Sequence, residues 1–274
     1  MMSICSILPS LFVREVFMHV SVSTWNWAAL LKEGLSYQAM LDEIKKSGFG
    51  IEFWLATMSA SDIQVYEEQY KGSFACVSCH TSLANTFDDE ILKSEIALCQ
   101  RLGASLMVVH PCSFGFDAHT WDTHYVKAYD AKKLERVEHY IELAQRHHLL
   151  LALENGPIEI LEQVMDYVES KHLGSHMGIC IDTGHASMHS NEDEEYLHNL
   201  LRRFLPNLAQ LHVHDNFGSA DDHLVPGEGV IDWTKVLDII GQRRIDIPFV
   251  FELKGQRNPL QSAISAKRFI ENLL

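Results

Sequence analysis

Short apolar runs of strand length alternate with segments of helical periodicity along almost the whole chain, and this recurrence narrows the possible folds more than any other feature. Eight runs stand out: Phe17–Ser23, Gly50–Trp54, Phe74–His80, Ser105–His110, Leu149–Glu154, Met177–Asp182, Leu208–His214 and Pro248–Glu252. Helical patterns fill Ser36–Ser47, Asp88–Leu102, Lys132–Arg146, Ile158–Ser170, Glu192–Phe204 and Trp233–Gln242, and a last one runs from Leu260 towards the C-terminus. Strands separated by helices pair in parallel, because a parallel neighbour needs a crossover. Eight such units without a linker rich in Pro, Gly or Ser make a single closed (β/α)8 TIM barrel the economical architecture, with a doubly wound open sheet as the alternative.

The barrel is expected over residues 18–274. Residues 1–17 read as an N-terminal extension or a misassigned start, since Met18 directly precedes a good first strand. The apolar stretch Ile4–Phe17 is broken by Pro9, Arg14 and Glu15, is too short to span a bilayer, and lacks the basic region of a signal peptide. A cytoplasmic protein without membrane attachment is therefore expected. The formal net charge of −15 repels a phosphate backbone, which disfavours nucleic acid as a partner. Six Cys in 274 residues do not form a disulfide scaffold. Cys76 and Cys79 fall within one expected strand, on opposite faces, and read as packing residues.

The C-terminal ends of these strands carry the chemistry. The third ends in His80, the fourth in His110, the fifth in Glu154, the sixth in Asp182 with His185 just beyond, the seventh in His212 and His214, and the eighth in Glu252. A barrel gathers those ends around one mouth. His212 and His214 differ by two and share a strand face, and Asp221 and His223 follow in the next loop. Crowded together, Glu154, Asp182, Asp221 and Glu252 would repel one another and be driven to protonate unless a cation intervened. Mixed nitrogen and oxygen donors suit zinc, manganese, cobalt or iron, and a carboxylate-rich subset suits magnesium. Two long loops, Pro111–Tyr129 with its aromatics and Asp215–Asp232 with DDHLVPGEG, are placed to cover such a mouth.

These residues resemble the xylose isomerase-like barrel superfamily, which includes sugar-phosphate isomerases and epimerases, hydroxypyruvate isomerase, inosose dehydratase and endonuclease IV. The resemblance covers about residues 18–274 and is carried by VVHP at 108–111, LALEN at 151–155, CIDTGHA at 180–186, LHVHDN at 211–216, DDHLVPGEGVIDW at 221–233 and FEL at 251–253. In the ketose epimerase branch one divalent ion is held by positions matching Glu154, Asp182, His212 and Glu252, and the two Glu double as proton-transfer groups. The substrate-contacting His of that branch matches His185. Two departures are visible: His223 stands where those epimerases often carry an Arg, and the Glu they use shortly after the fifth strand is not evident at the matching position, about Ile160. The nine ligands of three-zinc endonuclease IV match His80, His110, Glu154, Asp182, His185, His212, Asp221, His223 and Glu252, although Leu83 replaces an aromatic residue that probes DNA there.

The resemblance implies a divalent-metal-dependent isomerase or epimerase of a small sugar, sugar phosphate or related polyhydroxy carbonyl compound. Endonuclease IV-like multi-zinc phosphoesterase activity, or a carbohydrate lyase or dehydratase of the same superfamily, is the alternative. Glu154 and Glu252 are the expected acid/base pair, and His185, His214 and His223 the expected substrate contacts. Glu154, Asp182, His212 and Glu252 are the expected ligands of one Mn, Mg, Co or Zn ion, with His80, His110, His185, Asp221 and His223 able to extend the set to three ions. A homo-oligomer is compatible with the sequence.

Overall fold

The computed structural model describes residues 19–124, 130–188, 193–242, 247–255 and 257–274. The expected extension at 1–17 and the start of the first expected strand lie outside them. Eight parallel strands close into a barrel in sequence order: β1 Val20–Ser23, β2 Gly50–Trp54, β3 Val77–His80, β4 Leu106–Val109, β5 Leu150–Glu154, β6 Met177–Asp182, β7 Leu208–Val213 and β8 Phe249–Phe251. β8 pairs back with β1 through Val20 and Phe249, so the open-sheet alternative does not apply. None of the helices among the described residues is long and apolar enough to cross a membrane.

Helices pack outside the barrel through one apolar stripe each. In Asp89–Leu102 the buried residues Leu92, Ile96, Cys99 and Leu102 recur at helical spacing, Asp88 caps the first turn, and Gly103 ends the helix in the left-handed conformation at φ 75. Two expectations need correction. The third strand begins at Val77 rather than Phe74, because Phe74 is buried by packing against Tyr66 and gives an apolar signal without ladder bonds; Cys76 therefore precedes the strand while Cys79 lies in the core. Helix Ala60–Gln69 was not anticipated, since only Tyr66 of its residues is fully buried and its N-terminal capping box, Ser59 with Asp62, stands in a largely polar sequence.

Alternation along the strands divides each between helix layer and barrel interior. Leu106, Val108, Ala152 and Cys180 form an apolar cluster inside one wall of the barrel. The opposite wall is polar and equally buried: Ser21, Ser23, Glu52, Ser78 and Gln210. Between β6 and β7 the register shifts, with Ile179 paired to Leu208 and Cys180 to Gln210, leaving Ala209 as an extra residue. Gly178 makes room for it; a Cβ there would lie 2.5 Å from that of Ala209.

Past β7 the chain is anchored by Asp215, a fully buried carboxylate. It accepts hydrogen bonds from the backbone of Asn216, Gly227 and Ile231 and from the Trp233 indole, at 2.9–3.1 Å. Gly229 lets the loop close over it, since a Cβ there would meet Asp215 Oδ1 at 2.3 Å. One side chain thus pins the loop that carries Asp221 and His223. Replacing Asp215 by Ala strands several buried donors at about 1–3 kcal/mol each, so urea unfolding is expected to show a loss of at least about 3 kcal/mol. A loss below ~1 kcal/mol would contradict the anchoring role.

Candidate metal centre

Glu154 ends β5 at the centre of the mouth, and the histidines are arranged around it. His80 Nε2, His110 Nε2, His185 Nδ1 and His212 Nδ1 lie 3.3, 3.1, 3.0 and 3.4 Å from its carboxylate oxygens. The outer nitrogens explain the tautomers. His80 Nδ1 lies 2.9 Å from the Thr81 carbonyl, His110 Nδ1 3.1 Å from that of Ala84, and His223 Nδ1 2.9 Å from that of Glu252. A carbonyl only accepts, so each Nδ1 carries the hydrogen and each Nε2 turns a lone pair inward. His80 and His110 consequently place two Nε2 atoms 3.0 Å apart beside an anionic oxygen. With both rings neutral these two lone pairs would repel, and a proton on His80 or a shared cation relieves them.

Asp182 has two duties. Its Oδ1 accepts from the His185 backbone at 2.7 Å and so caps the short helix Thr183–Ser187. Its Oδ2 is buried without a hydrogen-bond partner, as are His212 Nδ1 and Asp221 Oδ1. Asp182 Oδ2 and Glu252 Oε2 each lie 3.8 Å from His212 Nδ1, and Asp221 Oδ1 stands 2.9 Å from His223 Nε2 and 3.5 Å from His185 Nε2. Unsatisfied buried acceptors aimed at common points fit metal ligation. Donor atoms within ion-holding distance group as Glu154, Asp182 and His212; His80, His212 and Glu252; His80, His110 and Glu154; and His185, His214, Asp221 and His223.

The motif residues between the donors hold the strand ends together. Asn155 Oδ1 accepts from the Asp182 backbone at 2.5 Å, and its amide donates to the Thr120 carbonyl. Thr183 Oγ1 donates to the carbonyls of His212 and His214, and Asn216 Nδ2 donates to that of Gly184. Glu95 accepts from Thr81 Oγ1 and the Ser82 backbone, which fixes the turn after His80. His214 is fully buried, 2.8 Å from Asp182, with its ring stacked on that of His223 at 3.7 Å between centroids. It reaches the mouth through those two neighbours. Gly184 admits that ring, since a Cβ there would sit 1.9 Å from its Cε1. His223 itself has φ 50, a strained conformation for a side-chain-bearing residue.

Trp121, from the aromatic loop expected to cover the mouth, meets His185 at 6.0 Å. Sequence reasoning missed two parts of this site. Trp25 packs against His223 at 4.5 Å, so an indole flanks the mouth on two sides. Glu52, in the middle of β2, hydrogen-bonds the outer side of the His212 ring. A carboxylate of inward parity within the run GIEFW was the only signal for it.

Burial works to neutralise every group here, and the opposing charges decide the outcome. Against burial, the surrounding histidines, His110 first, hold Glu154 well below the usual carboxylate range. His80 is carried up to about 9 by Glu154, and His185 to about 10 by Asp182 and Glu154, both against their burial. His110 is pushed down by its burial, and Glu252 is pushed up by its own.

The chain belongs to the xylose isomerase-like TIM barrel family, whose sequence model matches residues 80–273. A protein of Methanocaldococcus jannaschii, described as uncharacterized, is 28% identical over 193 residues, which is 66% of this chain and 62% of that protein. A "Probable endonuclease 4" of Mycoplasma pneumoniae is 23% identical over 205 residues, 66% of each chain. The first two curated relatives are matched over only 62% and 55% of their length. Among solved structures, a D-tagatose 3-epimerase-like protein has a TM-score of 0.68 at 20% identity, covering 93% of this chain and 97% of its own. An L-ribulose 3-epimerase has a TM-score of 0.68 at 16% identity, covering 94% of both. At these identities the structural likeness is one of fold.

A histidine whose folded pKa is raised contributes stability in full below its unfolded value, about 6.5, and loses that contribution as pH rises through the folded value. Stripped of metal, the protein is therefore expected to melt at progressively lower temperature as pH is raised from about 6.5 to about 9 and 10, the folded values of His80 and His185, with the loss levelling off above them. Calorimetry across that window checks it; a flat profile would contradict the pairing of these histidines with Glu154 and Asp182.

Proposed function

We propose that this chain is a divalent-metal-dependent isomerase or epimerase acting on a small sugar, sugar phosphate or related polyhydroxy carbonyl compound. One observation carries the reading: imidazole lone pairs and carboxylate oxygens from distant strands converge in one buried volume, beneath a mouth flanked by indoles. Carbohydrate C–H faces stack on such rings, and the family and its sugar-epimerase neighbours support the same class.

Glu154, Asp182, His212 and Glu252 would hold the catalytic ion. A divalent ion there supplies polarisation of a substrate carbonyl and hydroxyl, which acidifies the neighbouring C–H. Glu154 and Glu252 come from β5 and the end of β8 and approach His212 Nδ1 to 3.4 and 3.8 Å. One carboxylate removes the proton; its return from the opposite face inverts the carbon, and its return to the adjacent carbon moves the carbonyl. His185 and His223, at the open side of the ring, orient substrate hydroxyls, backed by His214. Elimination after the same proton removal would make the enzyme a dehydratase.

A multi-zinc phosphoesterase is the second reading, favoured by the donor groups around His80 and His110 and around Asp221 and His223, and by the endonuclease relative. The net charge of −15 weighs against a DNA substrate.

With metal bound, the protein is expected to exchange a substrate C–H for deuterium in heavy water. Glu154→Gln should lower turnover by about 10²–10⁴-fold or more. Full activity of that variant would refute the assignment, and cleavage of an abasic-site duplex without exchange would establish the second reading instead.

A further inference from the structure

We propose that Glu52 is a positioning residue: it fixes the tautomer of His212 and thereby turns the His212 Nδ1 lone pair towards the metal ligands. The inference rests on the reading of His212 as a ligand. Glu52 is completely buried in the middle of β2, a strand otherwise made of Gly, Ile, Phe and Trp. A carboxylate in such a place is costly unless donors meet it. Ser78 Oγ donates to Glu52 Oε2 at 3.2 Å and Gln210 Nε2 at 2.5 Å, and His212 Nε2 lies 3.3 Å from Oε1 and 3.4 Å from Oε2.

An ionised carboxylate has no hydrogen to give. His212 Nε2 therefore donates to it, beside the Gln210 amide 3.2 Å away that donates to the same carboxylate, and Nδ1 is the nitrogen left for an ion. That atom faces Glu154, Asp182 and Glu252 and has no hydrogen-bond partner. The three carboxylates would otherwise attract the imidazole hydrogen to Nδ1 and so block the ligand atom. Glu52 keeps a hydrogen on the far side of the ring, so that Nδ1 is the position an ion takes, and its negative charge raises the basicity of the ligand it holds.

The corresponding outer partner of His80, His110 and His223 is a backbone carbonyl, which no side-chain substitution removes. For His212 it is a side chain, and so the device can be taken apart. Glu52 itself is sealed beneath His212 and has no route to a substrate, so it acts through that ring alone.

Side-chain nitrogen NMR of histidine in the metal-free wild-type protein is expected to show His212 protonated at Nε2. Competition with a chromogenic chelator for zinc and for manganese is expected to show Glu52→Gln, which keeps the volume and removes the charge, binding about 10–100-fold more weakly than wild type. Glu52→Leu should bind at least as weakly. Glu52→Leu strands the donors of Ser78, Gln210 and His212 and is expected to melt below wild type, whereas Glu52→Gln keeps an acceptor for them; weak metal binding by a Glu52→Gln variant that still unfolds cooperatively separates positioning from mere loss of fold. A His212 that carries its hydrogen on Nδ1 and leaves Nε2 bare in wild type, or unchanged metal affinity in a folded Glu52→Gln variant, would overturn the proposal. Failure of wild type to bind either ion would instead overturn the metal-dependent reading, and the NMR result would still decide what Glu52 does to His212.

Discussion

The structure depends on a conflict between burial and charge. Evolution has placed Glu154, Asp182, Glu252 and four or more imidazoles where water cannot separate them, and has fixed the outer nitrogens so that the inner ones present lone pairs. In the absence of a cation, protons must mediate, which is why His80 and His185 hold theirs so firmly against burial. A divalent ion resolves the same conflict with geometry as well as charge. Removing one carboxylate changes the whole arrangement, because each histidine nitrogen near Glu154 is also near another acid or another ring.

The barrel makes that concentration of charge possible. Closing β8 onto β1 brings positions as distant as His80 and Glu252 to one rim, and strand alternation sends every second residue inward. Asn155, Thr183 and Asn216 then tie β5, β6 and β7 together immediately beside the donors. Asp182 adds a local element: the residue that starts a helical turn also faces His212, so the cap that places His185 also helps to aim the acid, together with His214.

Much of this was legible in the sequence because it follows a simple period. Apolar runs ending in His, Glu or Asp give the barrel, its rim and the donors that meet there. What escaped was whatever breaks the period or hides within it. Glu52 sits inside an apolar run, where a single acid is easily taken for a tolerated exception. Helix Ala60–Gln69 buries too little to show an apolar face. The stacking of His214 on His223 needs a left-handed backbone at His223, which no pattern of residue types announces. Trp25 belongs to the turn after β1, and only the assembled mouth gives it a neighbour from the loop after β7.

The extra residue Ala209 divides β7 into two parts with separate obligations. Below it, Leu208 aligns with Ile179 and serves the packing between sheet and helices; above it, Gln210 and His212 align with Cys180 and Asp182 and serve the rim. The step also resets which way the strand faces. Without it, Cys180 would stand beside Ala209 rather than Gln210, and Gln210 and His212 would swing from the barrel interior to the helix layer; one inserted alanine therefore decides that the imidazole reaches the rim at all.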